Sequence, residues 1–387
     1  MKRARPGPVP LAGENAIPTK NRGSGQVGQA GPEGAPPVNP SEARASQSRP
    51  RLLAAAALLL TCTACGHYAD FTLPALSGGD PGMTFAFEPQ PEPVLSPGSG
   101  WDSHDVLNPS VVALEKGLTA ARLNLYSGFD GSTWRTGLAT SGDGVHWEKQ
   151  RAVLSPDPLT WEGSYIAANG SALAFGNRFW YWYQAGPKAS PRIGLARSEN
   201  ARSWRKEIKP VLDYGPYASW DERAVADPCV IRIEPFFYIY YLGQDRARRQ
   251  RLGIARSRDG IQWEKLRSSP VLELGGPGAF DENGLGEPAV WQSHGFYWML
   301  YTGRDIRENR RLGLARSTDG VRWRKLPTVY AGSQPWDSKV ICDPSVEVAG
   351  DHILVWFGGG DVASPDENLH GRIGMGILRP ARLKEPQ

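Results

Sequence analysis

Cysteine is scarce in this chain. Four occur in 387 residues, and Cys62 and Cys65 share one short N-terminal stretch. Only Cys229 and Cys342 are left for the body, which excludes a disulfide framework and rests the fold on its core. Both read as small buried residues rather than nucleophiles. Histidine is equally sparse, and His294 and His370 fit no metal-ligand spacing, so no zinc site is expected. A basic face is also missing. The formal charge of +4 arises in residues 1–64, which hold eight basic and three acidic side chains; the remainder has 36 basic against 37 acidic groups, a net of −1. A near-neutral body with interspersed charges argues against a nucleic-acid partner. Nothing reads as a helix.

Residues 1–50 are rich in Pro, Gly, Ala and Ser without apolar period and are expected to be a disordered leader. The segment 51–65, within "RPRLLAAAALLLTCTAC", has a basic flank and an apolar run of about a dozen residues. That length suits a signal-peptide core better than a membrane span. Thr63-Ala64 before Cys65 resembles the lipobox of bacterial lipoproteins, which implies lipidation of Cys65; Cys62 is a poorer alternative, and an ordinary secretory signal stays open. The long polar leader leaves open a start downstream of Met1. The resemblance implies a bacterial cell-envelope protein, lipid-anchored through Cys65. A linker is expected at 66–82 and a tail at 381–387.

What the chain has in abundance is self-similarity. "RTGLATSGDGVHWEK" (135–149), "RIGLARSENARSWRK" (192–206), "RLGIARSRDGIQWEK" (251–265) and "RLGLARSTDGVRWRK" (311–325) are four copies of one motif, and "RIGMGIL" (372–378) is a truncated fifth. An aromatic run ending in Gly precedes each copy, such as "FYIYYLG" or "FYWMLYTG". Upstream of each run lies a third motif: "WDSHDVLNPSVV" (101–112), "WEGSYIAANGSAL" (161–173), "WDERAVADPCVI" (220–231), "FDENGLGEPAVW" (280–291) and "WDSKVICDPSVE" (336–347). Each unit reads as four short strands separated by Gly, Asp-Gly and Pro. Four-stranded antiparallel sheets repeated radially make a β-propeller, and five copies predict five blades over 83–380. The last copy lacks a fourth strand; "MTFAFEPQPEPVLSP" (83–97) is expected to complete it and close the ring.

Repeats supply their own control. Trp-Asp at the unit starts and the Asp-Gly turns recur almost uniformly and are read as structural; Trp101, Trp161 and Trp220 are therefore expected to pack rather than to stack on a ligand. The residue before Pro varies instead: Asn108, Asp227, Glu287 and Asp343, with Asn169-Gly170 in the second unit. These residues are expected to begin the innermost strands and converge at a channel mouth. Crowded carboxyls raise at least one pKa, the condition under which a carboxyl serves as a general acid.

With those residues the chain resembles the five-bladed propeller glycosidases, the group containing glycoside hydrolase families 43, 32, 68 and 130. The resemblance implies acid-assisted cleavage of an oligo- or polysaccharide, with Glu287 as the acid and Asp227 stabilising the transition state. Blade one departs from it, because Asn108 replaces a catalytic Asp. Asp105 or Asp102 can supply the carboxylate. Alternatively, the chain follows family 130, in which phosphate is the nucleophile, with Arg223, Arg246 and Arg304 serving it. A third reading is a carbohydrate-binding surface lipoprotein without turnover. Asn108, Asn169, Asp343, His104 and Arg223 are candidate substrate contacts. No cofactor is expected, although the acidic channel leaves room for a structural Ca²⁺, and a monomer is expected.

Overall fold

The computed structural model describes residues 68–114, 121–364 and 366–383. The expected leader, signal segment and Cys65 lie outside the described residues. Strands and turns make up the described chain, and its one helical element is a 3₁₀ turn at Pro335–Asp337.

Each sequence repeat folds as a small antiparallel sheet. In repeat four, Gly284–Ser293, Phe296–Arg304, Arg310–Ser317 and Arg324–Tyr330 pair in chain order. Repeat three runs through Ala224–Ile233, Phe236–Gln244, Gln250–Ser257 and Glu264–Leu266, and Tyr68–Ala69 adds a parallel strand at its edge. Repeats one and two share one sheet, because Trp134 and Arg135 pair with Ile166 and Ala167. Met83–Pro89 pairs antiparallel with Arg372–Arg382, so the N-terminal strand completes the last sheet as expected. The architecture is all-β and of propeller type.

Small residues after the Asn/Asp/Glu-Pro position join the inner strands. Val111 N–H donates to Ser345 Oγ at 3.0 Å, Ala172 N–H to Ser110 Oγ at 2.7 Å, Val230 N–H to Ser171 Oγ at 2.9 Å and Val290 N–H to Cys229 Sγ at 3.3 Å. These bonds run from repeat five to one, two, three and four in turn. Cys229 thus stands where other repeats use Ser, which explains its half-buried placement.

The uniform motifs are structural. Asp102 accepts from Tyr126 Oη and Lys149 Nζ, Asp221 from Tyr241 and Lys265, and Asp281 from Tyr301 and Lys325; Glu162 repeats the pattern with Tyr183 and Lys206. Burying these acids is tolerated because each is paired and hydrogen-bonded. The aromatic ring beside each acid, Trp101, Trp161, Trp220 or Phe280, packs against glycines. A Cβ on Gly243 or Gly253 would come within 2.2 or 2.3 Å of the Trp220 ring, which explains the Gly in "YYLG" and "RLGIAR". In the turns, Gly144, Gly260 and Gly320 N–H donate to Ser141, Ser257 and Ser317.

Residues 68–82 do not hang free. Leu73 is buried against Gly320, its N–H bonds to Asp319 O at 2.9 Å, and Tyr297 Oη donates to Pro74 O at 2.7 Å.

Candidate functional site

The five varying residues share one backbone feature. Asn108, Asn169, Asp227, Glu287 and Asp343 have φ of 48°, 46°, 47°, 49° and 53°. None is glycine, and the left-handed region is sparsely occupied by other residues. In repeats two to five each sits at a break in register inside the inner strand, as between Ala226 and Cys229 or Gly286 and Ala289. The residues therefore lie three positions into the strand rather than at its start. In repeat one the break splits the strand into Asp105–Leu107 and Val111–Ala113. A bulge re-aims one side chain without ending the sheet, and here it turns five side chains onto one ring.

That ring separates two spaces. Above it opens a cavity of about 510 Å³ whose lining includes all five residues, and below it a narrow one of about 40 Å³ lined by the same five and their following Pro or Gly. Within the ring, Asn108 donates from its backbone N–H to Asp343 Oδ2 at 3.3 Å and from Nδ2 to Oδ1, while Cys342 Sγ donates to Oδ2 at 2.9 Å. The Asn169 side chain hydrogen-bonds Asp227 and accepts from Ser127 Oγ at 2.9 Å. The two asparagines thus act as amide donors to flanking acids. Glu287 lies between Asp227 and Asp343 without such a donor, and its Oε2 is buried with no hydrogen-bond partner.

Burial first, and the Glu287 charge second, push the Asp227 carboxyl up to about 8 against the weaker opposing pull of Asn169, Arg304 and Arg310. Burial and Glu287 likewise hold Asp343 well above the carboxylate range. The ring therefore retains protons at neutral pH. Glu287, Cys342 and Asp343 bring ligand atoms within 4.8 Å of one another. A thiol, a proton-holding Asp343 and adjacent arginines do not match the six or more oxygens Ca²⁺ requires, so the Ca²⁺ for which the sequence left room finds no suitable donor set among these residues.

The cavity wall is uneven. Trp134, Tyr165 and Ile166 form an apolar side in repeats one and two, while Arg223, Arg248, Arg304 and Arg310 line repeats three and four. Arg304 is held by Glu308 at 3.0 Å and Gln250 Oε1 at 2.8 Å, and Arg310 by Asp366. Burial opposes ionisation of Asp366, yet Arg310, Arg304 and Lys188 together keep its carboxyl below the ordinary range. Glu367, beside it, accepts from Tyr165 Oη at 2.6 Å and pairs with Lys188.

Of the residues singled out from the sequence, Asn108, Asn169, Asp227, Glu287, Asp343, Arg223 and Arg304 come together in this cavity. Asp105 does not. It is fully buried and accepts from Asn368 N–H at 2.6 Å and Gly371 N–H at 2.8 Å, so it anchors the loop that carries Asp366 and Glu367. Asp102 is committed to Tyr126 and Lys149, and His104 is exposed outside the cavity lining. Arg246 is likewise outside, bonded to Glu222. Neither Asp105 nor Asp102 supplies the cavity with the carboxylate that Asn108 lacks.

Arg310, Asp366, Lys188 and Tyr165 were not anticipated. For Arg310 a signal existed: the residue just before the repeated Arg of the third strand reads Trp134, Pro191, Gln250 and Arg310, the same kind of variation that marked the ring. Asp366 lies in a loop of the truncated fifth copy, which has no counterpart to compare.

Residues 125–273 match the family model of the glycosyl hydrolases family 32 N-terminal domain. A solved structure reported for glycoside hydrolases of the mannoside phosphorylase family 130, targeting β-1,2-mannosidic linkages in Candida mannan, superposes with a TM-score of 0.59. The likeness covers 82% of this chain and 99% of that one at 17% identity. The fold is that of the glycoside hydrolase-like propellers. An uncharacterized protein of Mycobacterium tuberculosis (strain CDC 1551 / Oshkosh) is 25% identical over 229 residues, 55% of this chain and 72% of that protein. The 1,2-beta-oligomannan phosphorylase of Thermoanaerobacter sp. (strain X514) is 29% identical over 134 residues, covering 32% of this chain and 44% of the phosphorylase.

Proposed function

We propose that this protein cleaves a glycosidic bond in an oligo- or polysaccharide, in an exported form anchored through Cys65, with its site at the centre of a five-bladed ring. The observation that carries this reading is the pair of proton-retaining acids, Asp227 and Asp343, flanking Glu287 at the floor of a cavity with one apolar wall. Glu287, the carboxyl with an unpartnered oxygen, donates its proton to the glycosidic oxygen as the bond to the anomeric carbon breaks. Asp227, which holds a proton while Glu287 is charged, passes it to Glu287 and, once ionised, stabilises the positive charge developing on the sugar. The leaving sugar departs as an alcohol, and water attacks the anomeric carbon, giving up one proton to the ring carboxylate that was left ionised.

A second reading rests on Arg304 and Arg310 beside the ring, and on the likeness to the oligomannan phosphorylase. Phosphate held there would attack in place of water, and Asn108, which carries no charge, would not repel it. The same placement of Asn108 suits this reading because a phosphorolytic site needs one carboxyl acid rather than two.

Incubation with a panel of oligosaccharides, with and without phosphate, followed by product chromatography tests both. Free reducing sugar without phosphate supports hydrolysis. Sugar 1-phosphate formed only with phosphate supports phosphorolysis. Binding with no product in either arm contradicts both and leaves the glycan-binding reading.

A further inference from the structure

Repeats three and four carry the same loop with opposite chemistry. In repeat four, Asn283 N–H donates to Arg304 O at 3.0 Å and Glu308 N–H to Asp305 O at 3.0 Å. The Glu308 carboxylate then takes both Arg304, at 3.0 Å, and Asn283 Nδ2, at 2.8 Å. Repeat three reproduces this backbone: Arg223 N–H donates to Gln244 O at 2.9 Å and Arg248 N–H to Asp245 O at 2.9 Å. Arg248 and Glu308 even share a left-handed φ of 63° and 64°. The side chains differ. Arg223, Gln244 and Arg248 stand where repeat four has Asn283, Arg304 and Glu308, so a mutually satisfied trio is replaced by two guanidinium groups and a neutral amide.

Neither arginine has an acidic partner among the described residues, and Arg223 Nε is buried without any acceptor. Their neighbours differ: Arg246 pairs with Glu222, and Arg249 and Arg251 pair with Asp245. Asp366, the carboxylate of the facing wall, is already engaged by Arg310 and Arg304. The half-buried Arg223 and the exposed Arg248 occupy positions that touch in the sister repeat, so their like charges repel, screened by solvent on the Arg248 side, with no acid between them. An anion between them removes that repulsion, and the planar guanidinium fork suits carboxylate and phosphate oxygens. Both residues line the cavity, whose wall also carries Trp134 and Tyr165.

We infer that Arg223 and Arg248 form a clamp that selects a sugar bearing an acidic group, a carboxylate or a phosphate monoester. The inference rests on the proposed function only in taking the ligand to be a sugar. The test is calorimetric titration of the full chain with mannose, glucuronic acid, mannose 6-phosphate and inorganic phosphate. The same titrations are run on the Arg223→Gln/Arg248→Gln double variant and on Arg248→Glu, which restores the acid found in repeat four. The acidic sugars should bind about tenfold or more tighter than mannose, with the tighter of the two naming the source of the anion. Both variants should lose that preference, and Arg248→Glu should be no less stable than the parent. Equal affinity for neutral and acidic sugars overturns the clamp and leaves glycosidic cleavage untouched. A preference that survives in both variants overturns it too, as does inorganic phosphate binding without any acidic-sugar preference. Failure of every sugar to bind overturns the clamp and the carbohydrate reading together.

Discussion

Asn108 holds Asp343 from the neighbouring repeat with two donors, its backbone N–H and its Nδ2. Its amide is therefore part of the ring that lets three acids share one floor. Asn108→Asp removes the side-chain donor and sets a fourth acid against Asp343. We predict a loss of about 1–3 kcal/mol that is small near pH 4.5 and grows towards pH 8 as the acids ionise. Urea midpoints at the two pH values check this, and identical midpoints for parent and variant at both would contradict it.

The ring also sets a pH dependence. Asp227 is pushed up to about 8, whereas an unfolded Asp titrates near 3.9. Because the folded state binds this proton more tightly, its stabilising contribution is complete below about pH 4 and is lost as pH rises through about 8. Asp227→Asn, which cannot ionise, should flatten the fall in stability across that window. Denaturation midpoints from pH 4 to 9 that run parallel in parent and variant would count against a proton-holding Asp227.

Much of this was legible in the chain. Because the blades repeat, the variation from Asn108 to Asp343 marked the ring, and the constancy of Trp-Asp marked the packing. The left-handed bulge was not legible, since an acid followed by Pro starts a strand as readily as it interrupts one. Nor was the task of Asp105, whose partners are backbone N–H groups near the opposite end of the chain. Side-chain patterns carry no signal for an acceptor that serves main-chain donors.

Asp105 is predicted to act as an anchor. Asp105→Ala leaves the N–H groups of Asn368 and Gly371 without their acceptor and should destabilise the fold by about 3 kcal/mol. The loop bearing Asp366 and Glu367 should then exchange its amide hydrogens faster. Unchanged exchange across residues 366–371 would show that the loop is held by other means.

Asp221 and Lys265 form a buried pair with side-chain exposures of 1% and 7%. Asp221→Ala strands the Lys265 ammonium and should cost about 3–5 kcal/mol, read as a drop in denaturation midpoint. Turnover per folded molecule should be unaffected, because the pair lies outside the cavity lining. A variant as stable as the parent would contradict the structural role assigned to the repeated Trp-Asp motif.

The most direct measurement is product formation by Glu287→Gln beside the parent on a saccharide the parent cleaves. Gln keeps the shape of the side chain but cannot donate the carboxyl proton, so turnover should fall by at least about 100-fold with substrate binding and the denaturation midpoint retained. Parental turnover in that variant would contradict the assignment of Glu287 as the acid.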